Sequence, residues 1–348
     1  MRGADCTGGV LCGMLDQCNE RDGHGRMEQH WFSTLQGTAA VDLAARLGLL
    51  DALAGDGHVP EIAPLLRELL VGTGVLRGRS AAPELTPSFA AAWRADSAGI
   101  RACASFMLGA ASDVATGLEL MLSDLPAFMQ RSQTFQLFRY DQALGTSTAE
   151  IEATRGWVCY LEALSRREAP VLAPMIRLDD GTRLLEVGGN TGLMAAELVA
   201  TYKGITATVL DLPAVCALGR ASAAGQSVSF VPGDARQPDA FDRFAGQIDA
   251  VLFKSVLHDW PEDDARDMLD RAIGILPSGG QVIVCERGAF GAADAASAHM
   301  NALANLVFAP FYRAPEFYVA IMENAGLSVS RSHLDLDMRF HVTAGRKP

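Results

Sequence analysis

Apolar and polar positions along this chain follow two different rhythms. From residue 30 to about residue 176 the apolar residues recur at helical spacing, over 30–53, 61–70, 98–129 and 149–175. Each stretch has one face to bury, which predicts a mostly α-helical first half. Between the second and third stretches, 76–85 breaks the rhythm with glycine, arginine and proline and reads as a short β-wing. From residue 183 the pattern changes to short apolar runs, 183–187, 205–210, 228–231, 248–253 and 281–285, separated by helical pieces. Runs that are apolar almost throughout suit strands buried on both faces, and their alternation with helices predicts a parallel sheet.

In such sheets, ligands bind where strands end. The first run continues as RLLEVGGNTG, residues 183–192, in which Gly188, Gly189 and Gly192 let the backbone turn sharply and approach a ligand. Asn190 and Leu193 break the dinucleotide fingerprint, and no GK[ST] follows, so pyrophosphate readings are weakened. The second run ends in Asp211, where a carboxylate can accept from both hydroxyls of a ribose. The third is followed by Pro232, Gly233 and Asp234, placed to meet an adenine amino group. Either aspartate alone reads as a helix cap or turn residue. Successive strands with such residues at one edge read together as a nucleoside site.

The fourth run opens into LFKSVLHDWP, residues 252–261. His258 is the one side chain of that loop whose ordinary pKa lies near neutrality, so a general base is placed here. The fifth run ends in Glu286. Across about 4.8 Å of ladder, its carboxylate can fix the imidazole tautomer and stabilise the imidazolium. The other reading of Glu286 is a solvated acid paired with Arg287.

The ordered series LLEVGGNTG, VLDLPAV, FVPGDARQPD, LFKSVLHDWPEDDA and GGQVIVCERG resembles the S-adenosylmethionine-dependent O-methyltransferases of the plant caffeate and bacterial secondary-metabolite type. The match is close over 184–286, looser to the C-terminus and, as architecture only, reaches back to about residue 27. The resemblance implies an α/β fold: a Rossmann-like seven-stranded methyltransferase domain over 177–348, preceded over 27–176 by a mostly α-helical, winged-helix-like dimerisation domain. It implies S-adenosylmethionine as cofactor, with Gly188 at the methionine part, Asp211 at the ribose, Asp234 at the adenine and Lys254 beside the backbone edge. Glu186, Leu212 and Ala235 join these cofactor contacts. His258 is the implied base and Glu286 its partner. Asp259, Met300, Asn301, Asn305, Phe308 and Tyr312 are the implied acceptor contacts, facing a wall of methionines and aromatics from the helical half.

The chemistry of the transfer suits that role. Methyl transfer displaces a neutral thioether that needs no proton, so the protein must align the reactants and prepare the nucleophile. A phenol is mostly neutral at pH 7, and an imidazole that takes its proton helps by about 10² to 10⁴ fold. One departure stands out: the family's second glutamate, in a GGxERT segment, is replaced within FAPFYRAPEF, residues 308–317, by Phe311 or Tyr312. The histidine is then held by Glu286 alone, or Tyr312 adds a hydroxyl.

The leading expectation is methylation of a hydroxyl on an aromatic or polycyclic small molecule. The alternatives are a C-methyltransferase acting on a conjugated ring, or a cofactor-binding relative catalysing hydroxylation, decarboxylation or a pericyclic step. A DNA-binding winged-helix regulator is disfavoured because Arg67 stands almost alone where a basic recognition helix is needed.

Composition adds exclusions. With 348 residues, 49% of them hydrophobic, the chain can bury two cores. A net charge of −12 disfavours nucleic acid and anionic membranes as partners. No apolar run reaches membrane-spanning length, and the expectation is a cytoplasmic homodimer. Cys6, Cys12 and Cys18, with His24, fit no zinc spacing, so no metal is expected, and 1–26 reads as a disordered extension. Cys103, Cys159, Cys216 and Cys285 read as inert core residues.

Overall fold

A computed structural model describes residues 31–348 apart from 56–58, 60, 79–81, 223 and 297–299. The extension 1–26, with its three cysteines and His24, lies outside the described residues. The chain divides into two compact units, Met1–Leu108 and Gly109–Pro348.

In the first unit, Leu35–Arg46, Leu49–Ala54 and Pro64–Gly72 are helices. The Thr34 hydroxyl caps the first by accepting from the Gly37 N–H. The stretch 30–53, continuous in its apolar rhythm, is cut by Gly48, which adopts φ 69° between the first two helices. Strands β1 (Leu76–Arg77) and β2 (Glu84–Leu85) pair antiparallel with Leu76 opposite Leu85, forming the anticipated wing. Val41, Leu50, Leu70 and Phe89 centre this unit's core, with Trp31 edge-on to Phe89 at 4.7 Å.

The second unit is built on a seven-stranded sheet of order β5-β4-β3-β6-β7-β9-β8. Its strands are β3 (Arg183–Val187), β4 (Thr206–Asp211), β5 (Ser229–Pro232), β6 (Ala250–Lys254), β7 (Gln281–Arg287), β8 (Ser328–Asp335) and β9 (Arg339–Arg346). β3 to β7 pair in parallel, while β9 runs antiparallel to both β7 and β8. The chain leaves β3 towards β4 on one side and returns to β6 on the other, so a crevice opens at their carboxyl ends.

Each face of the sheet carries its own core. Helices Glu262–Ile275 and Pro315–Asn324 cover one, through Met268, Leu269, Tyr318 and Met322. Helices Thr148–Leu172, Leu193–Thr201 and Pro213–Ala221 cover the other, through Leu172, Met194, Leu198 and Cys216. Along β7 the strand's two-residue period sends Val282 and Val284 into the first core and Ile283 and Cys285 into the second. Helix Thr148–Leu172, begun by a capping box between Ser147 and Glu150, was grouped by sequence with the helical half. Ala169 and Leu172 bury it in the sheet's core instead. Among the described residues no helix is long and apolar enough to cross a membrane.

Candidate active site

The glycine turn after β3 depends on left-handed backbone. Gly188, Asn190 and Gly192 adopt φ 67°, 53° and 78°. A Cβ on Gly188 would lie 2.6 Å from Cγ2 of Val256, so only glycine lets this turn close on the loop after β6. Glu186, within β3, is buried and accepts a hydrogen bond from the Ala195 N–H at 3.0 Å; burial pushes its carboxyl pKa up to about 8. Asp211 accepts from the N–H groups of Asn190 at 2.8 Å and Leu212 at 2.7 Å, and burial raises it to about 7. Nearby, Oδ1 of Asn190 and Oγ of Ser255 are buried without a partner. Two acids short of donors beside two orphaned polar atoms suit a ligand rich in N–H and O–H groups.

The neighbouring residues are placed less simply. Leu212, Asp234 and Ala235 line a cavity of about 80 Å³ with Asp211. Asp234 is gripped by Arg236 through bonds of 3.0 and 2.7 Å, and that guanidinium lies 4.1 Å over the ring of Trp260. Burial opposes ionisation of Asp234, but Arg236 more than offsets this and lowers its pKa. The Lys254 ammonium forms a buried ion pair with Glu168 and lies 3.3 Å from Oγ of Ser165. Glu168 also accepts from Arg287 at 2.7 Å, and Arg287 reaches Asp337 at 3.2 Å.

β6 and β7 pair through Lys254 and Cys285, so Glu286 stands one residue past the last rung. Ser255, at φ 55°, turns the chain into the single 3-10 turn Leu257–Asp259. Oε1 of Glu286 accepts from the Val256 and Leu257 N–H groups at 2.9 and 2.8 Å, while Oε2 lies 2.6 Å from Nδ1 of His258. One carboxylate thus fixes both the loop backbone and the imidazole. Arg313 clamps the same loop from outside, donating to the carbonyls of Leu257 at 2.7 Å and of Trp260. Burial disfavours the imidazolium, yet Glu286 and Asp259 outweigh it and hold His258 above its ordinary pKa. On the far side of the ring, Oδ1 of Asp259 is 3.3 Å from Nε2.

His258 opens on a cavity of about 420 Å³. Asp259, Asn301, Asn305, Phe308 and Tyr312 line it, as do Glu186, Gly188 and Lys254. Met300 begins the helix Met300–Phe308, and its side chain lies outside those described. Of the methionine and aromatic stripe, Met129, Phe135, Phe138, Tyr140 and Tyr160 reach the cavity. Phe106, Met107, Met121 and Phe128 are buried in the core. Between Phe311 and Tyr312, it is Tyr312 whose ring meets the imidazole, edge-on at 5.3 Å. Its hydroxyl is 3.5 Å from Oδ1 of Asn305, so it brings the histidine aromatic surface.

Sequence reasoning missed Tyr140 as a partner of Asp259, Glu168 and Asp337 as an ionic floor, and Arg313 as the loop clamp. Only Tyr140 carried a signal, as a member of the aromatic stripe.

A model of the O-methyltransferase domain matches residues 124–328. A 3-hydroxy-5-methyl-1-naphthoate 3-O-methyltransferase of Streptomyces sahachiroi is 37% identical over 41% of this chain and 43% of its own length. A mitomycin biosynthesis 6-O-methyltransferase of Streptomyces lavendulae is 24% identical over 49% and 48%. The chain therefore spans less than half the length of these curated relatives. Among solved structures, N,N-8-amino-8-demethyl-D-riboflavin dimethyltransferase of Streptomyces davawensis has the same fold, with TM-score 0.67, 20% identity and 97% and 100% of the two chains covered. Human N-acetylserotonin methyltransferase superposes with TM-score 0.61, 16% identity and 99% of each chain covered. With the domain model spanning more than half of the chain, this protein belongs to the O-methyltransferase domain family.

Proposed function

We propose that this protein is an S-adenosylmethionine-dependent methyltransferase that methylates a hydroxyl of an aromatic or polycyclic small molecule, with His258 as the base. The observation that carries this reading is an imidazole fixed by Glu286 that opens on an aromatic-walled cavity beside the glycine turn. The residues fit the cofactor: Glu186 and Asp211 lack donors that an ammonium group and ribose hydroxyls have, and Gly188 leaves room for close approach. When bound, S-adenosylmethionine supplies an electrophilic methyl group on a sulfonium.

The chain's own residues do the rest. Phe135, Phe138 and Phe308 exclude water and set the plane of the acceptor. Glu286 keeps the proton on Nδ1, so Nε2 takes the acceptor's proton, and the same carboxylate balances the imidazolium that results. Asp259, Asn301, Asn305 and Tyr312 orient the acceptor. Exposed Leu35, Leu47 and Leu65 support a homodimer formed through the helical domain.

A second reading has its own observation. Tyr312 stands beside His258 where the resembling enzymes carry a glutamate, and the more apolar surface suits methylation at carbon or a non-methylating reaction. Calorimetric titration with S-adenosylmethionine and S-adenosylhomocysteine, repeated on Asp211→Ala, tests the cofactor. Mass spectrometry of hydroxyarenes incubated with the protein tests the transfer. Micromolar binding lost in the variant, with a methyl gained on oxygen, is the expected result. Binding with methylation only at carbon, or with none, favours the second reading, and no binding by folded protein sinks both.

A further inference from the structure

The two nitrogens of His258 meet carboxylates at unequal distances. Nδ1 is 2.6 Å from Glu286, a strong charge-assisted hydrogen bond, whereas Nε2 is 3.3 Å from Oδ1 of Asp259, beyond good bonding range. The Asp259 carboxylate has a second partner. The hydroxyl of Tyr140 donates to Oδ2 of Asp259 at 2.9 Å, from a turn 119 residues earlier in the chain. The Tyr140 ring is itself wedged, edge-on to Trp157 at 5.3 Å and tilted against Trp260 at 5.5 Å, so the hydroxyl has a fixed position.

We propose that Tyr140 is a positioning residue whose hydroxyl holds the Asp259 carboxylate off Nε2 of His258, leaving that nitrogen for the acceptor's proton. Without this restraint, a buried carboxylate one residue from the imidazole closes to full hydrogen-bond distance. The imidazole is then sandwiched between two acids and kept protonated, unable to act as a base. Among the described residues, the groups that act on His258 directly or through its two acids include Glu286 and Arg287 from β7, Asp259 from its own turn, Tyr312 and Arg313 from the segment after Met300–Phe308, Tyr318 from the helix Pro315–Asn324, which interacts with both Glu286 and Asp259, and Tyr140 acting through Asp259. Arg313 and Tyr140 both act on Asp259, but only Tyr140 bonds its side chain. Its phenol is held far above its ordinary pKa, chiefly by burial and then by Asp259, so it remains a donor throughout the working pH range.

The inference rests on His258 being the base, but its test needs no turnover. The whole chain, labelled on histidine, is titrated by NMR, with the His258 resonance assigned by its loss in His258→Gln. Tyr140→Phe keeps the ring contacts and removes only the hydroxyl. It is expected to raise the His258 pKa by roughly half a pH unit or more. Asp259→Asn, which removes the charge, is expected to lower it, and Tyr140→Phe added to Asp259→Asn is expected to change nothing further. A hydroxyl that merely supports packing would reduce stability and leave the titration where it was. An unshifted or lowered pKa in Tyr140→Phe, or a shift that persists in the double variant, overturns the proposal. Absent methyl transfer with these titration shifts intact would instead tell against the function proposed above.

Discussion

A buried carboxylate with too few donors keeps its proton. At pH 6.5 Glu186, with its pKa near 8, and to a lesser extent Asp211, near 7, hold protons in the free protein. A ligand that brings an ammonium group and hydroxyls favours the ionised forms and expels those protons. Calorimetry of S-adenosylhomocysteine binding at pH 6.5, in two buffers of different ionisation enthalpy, should therefore show net proton release, reduced in Glu186→Gln. His258 carries a different expectation. His258→Ala should lower kcat/KM by about 10² to 10⁴ fold while leaving cofactor affinity unchanged, as steady-state kinetics and calorimetry would show. The positions of Asp211 and His258 were legible from sequence because each stands at or just beyond the end of a strand so apolar that its course is unambiguous, whereas Glu186 came only with the family resemblance. Tyr140 and Arg313 were not. Their partners lie 119 and more than 50 residues away, and no local pattern encodes a pairing made only by the folded sheet.

At the level of elements, the turn after β3 and the loop after β6 are one structure. Gly188→Ala would combine a φ of 67° with a Cβ 2.6 Å from Val256, a methyl group that cannot move without moving the loop of His258. We expect a stability loss of about 1–3 kcal/mol in chemical denaturation, together with weaker cofactor binding. The parallel strands announced themselves because burial on both faces leaves a continuous apolar run. β8 gave no such signal. It is an edge strand, half-buried at best, and its residues Ser328–Asp335 are mostly exposed and polar. The ionic role of Glu168 was hidden for a related reason: on helix Thr148–Leu172 it reads as one more polar position, and its cationic partners are 86 and 119 residues distant.

Across the whole second unit, Glu168 ties separate parts of the chain together. It pairs with Lys254 at the end of β6 and Arg287 at the end of β7; Arg287 reaches Asp337 ahead of β9, and Asp337 accepts from Asn305 at 3.2 Å. Burial disfavours its charge, but Lys254 and Arg287 outweigh this and hold its pKa below the ordinary value. Glu168→Gln leaves two buried cations without their shared anion and should cost about 3–5 kcal/mol in urea denaturation at pH 7. A lowered carboxyl pKa stabilises the fold above the ordinary value and loses that contribution as pH falls through the lowered one. The gap between wild type and variant should therefore close in acid. The domain boundary was less legible than the sheet, because apolar periodicity shows that helix Thr148–Leu172 has a face to bury but not which core receives it.

The alternation of β7 also sets a limit on what the sheet can tolerate. Glu286 and Arg287 are consecutive residues on opposite faces, one addressing the imidazole and the other the ionic floor. A slip of one residue between β6 and β7 would, in one direction, bring Arg287 to the place of Glu286 and set a guanidinium against His258; in the other, it would bring Glu286 to the place of Arg287 and set a second carboxylate against Glu168. The misaligned sheet would thus be penalised by charge in either direction, whatever its apolar residues gained. The pair that prepares the base also proofreads the strand that carries it.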